Sequence, residues 1–224
     1  MEFIDLYCER TGAGFWNEPI NALSNIAFLV AAYLALRIAL ARPRQNAAEI
    51  TVVLMGGLIG IGSFLFHTFA NSATELADVI PIWSFVAAYV VLVIYRMTGQ
   101  NGWKTLRISL IAGTITGTVF WFTSGDITTD ASGPNDLLNG STQYAPALVA
   151  LAIFALLAVL KKHPARGMIC LALVSFIGAL VFRSVDLHSC DHTHVGTHFM
   201  WHILNATMVY YLLMALVRHL PPKT

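Results

Sequence analysis

The chain reads as a series of long apolar runs divided by short polar stretches. Each run is close to the ~20 residues an α-helix needs to cross the hydrocarbon core of a bilayer. Seven such runs occur, at 20–40, 50–69, 78–96, 106–123, 143–160, 166–186 and 197–217. The pattern predicts an all-α membrane protein, a bundle of seven transmembrane helices. It divides the chain into an acidic N-terminal segment over 1–19, a helical domain over 20–217 and a short tail over 218–224. The longest loop, 123–142, is rich in Gly, Ser, Thr, Asp and Asn and has no Lys or Arg. It is placed to cap the mouth of the bundle, and nothing in it specifies chemistry.

Composition strengthens the membrane reading. Of 224 residues, 57% are hydrophobic and 11% charged, whereas soluble domains carry about 25% charged residues. A net charge of +1 with no basic patch argues against a nucleic-acid partner. Where the charges fall says more than their sum. Eleven of the thirteen basic residues lie at run ends on one side, and eleven of the twelve acidic residues lie on the other, Glu49 being the exception. The positive-inside rule then puts the N-terminus outside and the C-terminus in the cytoplasm. Glu2, Asp5, Glu9 and Glu18 stand against Arg10 alone at the start, where a secretory signal would be basic. With no retention or lipidation motif, the expected location is a bacterial inner membrane with the outer ends facing the extracytoplasmic side.

Against this apolar background, a few polar residues share one depth. Ser63 and His67 are four residues apart at the outer end of the second run, His198 and His202 are four apart in the first turns of the seventh, and Asp78 opens the third. An i, i+4 pair lies on one helix face, one turn apart. Ionisable groups inside membrane helices are costly and mark functional sites, so five polar groups at one depth point to a single site. Neutral imidazoles suit Zn²⁺, and three protein ligands with an open fourth position is the catalytic pattern. No cysteine stands beside the histidines to close it. A bound zinc lowers the pKa of its water to ~7 and polarises a carbonyl. Asp78 is then placed to act as general base and acid, and Ser63 to donate to a developing oxyanion. Plainer roles exist for both: a Ser63 hydroxyl bonded back to a helix carbonyl, and Asp78 as N-cap of a helix starting at Val79 and Pro81.

The motifs GSFLFHT, ELAD and GTHFMWH, in this order and on these runs, resemble the signature of the alkaline ceramidases. That family belongs to a wider membrane-hydrolase superfamily with the adiponectin-type receptors and the GPI-anchor remodelling lipid hydrolases. The resemblance extends from DLYCE to the seventh run. It implies that His67, His198 and His202 hold zinc, that Asp78 is the acid/base and that Ser63 is the oxyanion donor. The implied reaction cleaves the amide of ceramide, a lipid entering from the bilayer, into a sphingoid base and a fatty acid. The resemblance also implies an N-terminal calcium site, for which Asp5, Glu9 and Glu18 are the matching residues. Calcium takes six to eight oxygen ligands, so backbone carbonyls and waters would complete it. Here three residues stand between Asp5 and Glu9 where the family pattern has a Trp-Cys pair, and Arg10 and Thr11 follow where it has an Asn ligand. Cys8 and Cys190 both lie on the outer side, where a disulfide persists, and the resemblance supports pairing them.

Other features have structural readings. In RSVDLHSCDHTHVG, Arg183 and Asp186 are spaced to pair at a helix end, and Asp186 is also a candidate to orient a zinc-bound imidazole. His188, His192 and His194 read as solvated loop residues. Gly56, Gly57, Gly60 and Gly62 form a small-residue surface for close helix packing. Trp16, Trp83, Trp103 and Trp121 fit interfacial belts, and Cys170 fits core packing. Hydroxide attack serves a lipid ester or another acyl amide equally well, and a receptor with a zinc site is the remaining alternative. Transport is disfavoured, because the midplane stretches are apolar and no polar path is visible.

Overall fold

The computed structural model describes residues 3–123 and 138–222. Most of the expected cap, 124–137, lies outside the described residues, as do Glu2 and Lys223. All regular structure within them is helical. The α-helices are α1 (Pro19–Ser24), α2 (Ile26–Leu40), α3 (Ala47–Phe69), α4 (Ser72–Met97), α5 (Gly102–Thr123), α6 (Ala145–Leu160), α7 (Arg166–Ser184) and α8 (His198–His219). Short 3-10 turns at Ser141–Tyr144 and Leu187–Ser189 precede α6 and follow α7. With α1 and α2 counted as one span, six helices are long and apolar enough to cross a membrane. The 22-residue α5 falls on the remaining expected run.

Neighbouring helices pack in sequence from α2 round to α8, and α8 returns against α2, closing a ring. The two centremost members are α3 and α8: 56% and 61% of their most apolar windows are buried, against 22% for α4 and α6. These two carry the three histidines. Large apolar residues such as Leu54, Leu58 and Ile61 on α3 and Val174 and Val181 on α7 face outward, as lipid-facing positions do. Where helices meet, side chains are small: Ala35, Ala172, Ala179 and Ala215 are fully buried. Small residues let backbones approach in a setting where lipid is as apolar as the core.

The end of the bundle away from the histidines is fastened by a buried ion cluster. Glu49 pairs with Arg42 and Arg96, both at 2.6 Å, and Arg96 also donates to the Leu220 carbonyl. The one acidic residue on the basic side is therefore neutralised. Eighteen residues separate Glu49 from His67 on α3, which is about 27 Å along the axis.

The start of α4 corrects the sequence reading. Asn71 is the N-cap, in a reciprocal capping box with Thr74, so the helix starts six residues before Asp78. Asp78 is not a cap, and Pro81 is the tenth helical residue. An interior proline cannot donate to the carbonyl four residues earlier, which leaves Ala77 O without that bond. Gly62 of α3 lies against this carbonyl, closer than any Cβ could stand. The pair brings the α3 and α4 backbones together beside Ser63, His67 and Asp78. The four glycines of α3 do not share one partner: Gly56 faces α8, Gly57 and Gly60 face α2, and Gly62 faces α4. Trp16, Trp103 and Trp121 are exposed, whereas Trp83 is partly buried and stacks on Tyr144.

Candidate metal centre

The fold brings His67, His198 and His202 together. One nitrogen from each lies within 4.8 Å of the others, and all three residues are buried. His67 comes from the last turn of α3, and the other two from the first turns of α8. Among the described residues no other group of His, Cys, Asp or Glu is so arranged.

Two of these rings are held by partners at Nδ1. His67 Nδ1 lies 2.5 Å from Glu18 Oε2. Burial by itself pushes the Glu18 carboxyl up, but hydrogen bonds from His67, Asn21 and Arg10 outweigh it and hold the group below the usual carboxylate range. An ionised carboxylate only accepts, so His67 Nδ1 carries the proton. His202 Nδ1 lies 2.7 Å from Ser24 Oγ, whose own hydrogen goes to Asn21 O at 2.7 Å. Asn25 Nδ2 lies 3.5 Å from the same nitrogen. Both Nε2 atoms point inward and face each other at 3.1 Å. In neutral imidazoles protonated at Nδ1 these are two lone pairs, which at that separation repel unless a cation lies between them. His198 adds a buried Nδ1 with no partner. These donors fit a borderline metal such as zinc, whose bonds to imidazole nitrogen are about 2.0–2.1 Å.

Asp78 lies beside this group, with Ser63, His67 and Arg183 as its electrostatic neighbours. Its Oδ1 is buried and unpartnered. Arg183, expected to pair with Asp186, makes no ion pair with it. Its guanidinium turns inward, donates to Tyr7 Oη at 3.0 Å and packs over the rings of Tyr7, Tyr144 and Trp201. Its Nε is buried without a partner. The aromatic cage out-competes the helix-end pair because Asp186 is occupied elsewhere.

Asp186 is fully buried and binds backbone. Oδ1 accepts from Thr197 N at 2.6 Å and His198 N at 2.9 Å, and Oδ2 accepts from Cys8 N at 3.2 Å. Burial pushes its carboxyl up, while these N–H groups pull it down. It caps α8, as a carboxylate suits a helix N-terminus, and so fixes His198 through the main chain and not through the imidazole. Gly196, at φ +68°, makes the turn into α8 and leaves no room for a Cβ against Asp186 and Cys8.

The N-terminal segment covers the centre. Cys8 and Cys190 form a disulfide with Cα atoms 5.3 Å apart, and the Tyr7 ring stacks on His198 with centroids 3.5 Å apart and planes 18° from parallel. Asp5, Glu9 and Glu18 do not converge on a common point as the histidines do. Glu9 accepts from Ile20 N and Asn21 N at 2.7 and 2.8 Å, capping α1, and Asp5 is exposed. His188, His192 and His194 are exposed in the loop.

Sequence reasoning did not assign roles to Tyr7, Arg10 and Ser24, nor to Arg183 inside the site. A signal existed for Ser24: with Asn21 and Asn25 it forms a polar patch at helical spacing in the first apolar run.

Fold and centre define a multi-pass helical membrane protein with a buried three-histidine group able to hold a metal. The family model described as Ceramidase matches residues 7–220, nearly the whole chain, and the protein belongs to the ceramidase family. No curated protein matches the chain.

Proposed function

We propose that this ceramidase-family protein is a zinc-dependent amidase that hydrolyses the N-acyl bond of ceramide or a ceramide-like lipid, releasing a sphingoid base and a fatty acid. The observation that carries the reading is the pair of inward-facing Nε2 atoms of His67 and His202, 3.1 Å apart with a third buried imidazole beside them. Zinc bound there supplies Lewis acidity to the acyl carbonyl and a water acidic enough to attack at neutral pH.

The protein's own groups do the rest. Glu18 and Ser24 hold the His67 and His202 rings with Nε2 inward. Asp78 takes the proton of the attacking water and delivers it to the leaving amine. Ser63, beside it, donates to the oxygen of the attacked carbonyl as negative charge develops. The unpartnered Asp78 Oδ1 and Arg183 Nε are groups that a scissile amide and a polar headgroup would satisfy. The acyl chains reach the site between helices, and the charge distribution along the chain supports an extracytoplasmic position for it.

The test is release of free fatty acid, followed by mass spectrometry, from a panel of ceramides, other acyl amides and lipid esters. Wild-type protein in detergent would run beside His198→Ala and a zinc-stripped sample. Release from ceramides that falls at least 1000-fold in both controls is expected. Release from esters alone would move the assignment to a lipid esterase. Stoichiometric zinc with no hydrolysis would favour a receptor.

A further inference from the structure

We infer that Arg10 fills, as a built-in cation, the place where the family resemblance expects calcium, and that this chain secures its N-terminal segment to the metal centre without a bound calcium ion. The ceramidase reading supplies only the expectation; the geometry stands by itself.

The Arg10 side chain is fully buried, and its guanidinium gathers three oxygens. Nε donates to Glu18 Oε1 at 2.5 Å, Nη1 to Gly12 O at 3.1 Å and Nη2 to His67 O at 2.9 Å. A carboxylate and two backbone carbonyls from separate segments are the ligand set a calcium ion would collect. The His67 carbonyl lies in the last turn of α3, where main-chain acceptors have no intrahelical donor and a positive charge is favoured. One guanidinium thus joins the N-terminal segment, the carboxylate that orients His67 and the helix end that carries His67.

The expected calcium ligands are otherwise occupied. Both Glu9 oxygens accept from backbone N–H groups of α1. Glu18 Oε1 is bound to Arg10, and Oε2 accepts from His67 Nδ1 and, at 3.0 Å, Asn21 Nδ2. Only Asp5 is exposed, and one carboxylate is far short of the six to eight oxygens calcium takes. A divalent ion in this cradle would also stand against a buried guanidinium, with little water to screen the repulsion. Arg10 stands next to Glu9, in the pair Arg10-Thr11 that replaces the expected Asn ligand. The departure in sequence and the occupied cradle therefore have one cause.

Arg10 is a positioning residue, acting on the centre through Glu18 and the His67 main chain. Arg10→Lys keeps the charge but loses the fork that reaches three acceptors, whereas Arg10→Gln removes the charge and leaves Glu18 buried without its cation.

The test uses the full chain in detergent, in calcium-free buffer at fixed zinc, and needs no lipid turnover. Thermal unfolding and calorimetric titration with calcium chloride come first. The wild-type midpoint is expected to shift by less than about 1 °C with 1 mM calcium, with no saturable heat. A rise of several degrees, or saturable binding near one ion per chain, would overturn the inference. Zinc retained after desalting is then measured in both variants. Arg10→Gln is expected to hold zinc at least tenfold more weakly than wild type, with Arg10→Lys in between; retention in Arg10→Gln equal to wild type would also overturn it. If Arg10→Gln does not fold, Arg10→Lys and the wild-type titration decide the matter. A wild type that binds no zinc would instead count against the proposed function, and the calcium titration would still test Arg10.

Discussion

Glu18 and Ser24 hold the His67 and His202 rings at Nδ1 with Nε2 inward, although neither belongs to the three-histidine group. Groups that fix the far nitrogen of a ligating histidine typically account for 10- to 100-fold in metal affinity. Ser24→Ala removes the hydroxyl at His202 Nδ1, and its zinc affinity is expected to fall by about that factor in a competition titration with a chromogenic chelator. Glu18→Gln strikes both His67 and Arg10 and should cost more than Ser24→Ala in the same assay. Equal affinities for both variants and wild type would show that the rings are held by something else.

At the scale of elements, the contact between α3 and α4 decides whether Asp78 reaches the histidines. Gly62 and the Ala77 carbonyl freed by Pro81 make that contact possible. Gly62→Ala drives a methyl into a main-chain oxygen, which only a helix shift can relieve. Such overpacking typically costs about 1–3 kcal/mol, and hydrolysis should fall further than zinc binding, because α4 carries Asp78, the proposed acid/base, and none of the three histidines. Zinc content near wild type with turnover reduced at least tenfold is the expected pattern. Gly113→Ala on α5, where an added Cβ meets nothing, serves as the neutral control.

The whole molecule has two fastenings at opposite ends. Near the histidines, the Cys8–Cys190 disulfide spans 182 residues and anchors Tyr7 over His198. At the far end, Glu49 joins Arg42 and Arg96. Removing one partner of a buried ion pair costs about 3–5 kcal/mol, so Glu49→Gln should lower the unfolding midpoint markedly. Zinc affinity should stay unchanged, with about 27 Å of helix intervening. Reducing the disulfide, or Cys8→Ser, should instead lower both stability and zinc retention, since Tyr7 and Arg10 lose their anchor. The loss expected on removing such a link is about 2–5 kcal/mol, read from the midpoint with and without reductant.

Sequence by itself determined the helical class, the approximate runs and the residues that would meet. Length and hydropathy set the first two, because a bilayer demands a fixed length of apolar helix. The third followed because i, i+4 spacing puts His198 and His202 on one face and polar residues inside lipid need a partner. Tertiary structure alone decided which partner. Arg183 fitted Asp186 on spacing, yet it turned to an aromatic cage because Asp186 was claimed by the backbone of α8 and by Cys8. Glu18, which lies far from His67 in the chain, holds the His67 ring and the Arg10 guanidinium together. Asp78, for which a helix cap was the plainer alternative role, lies inside α4, because Asn71 and Thr74 start the helix earlier. In each case the local pattern allowed several bonds, and the choice fell to residues distant in the chain, whose positions only the closed ring of helices sets.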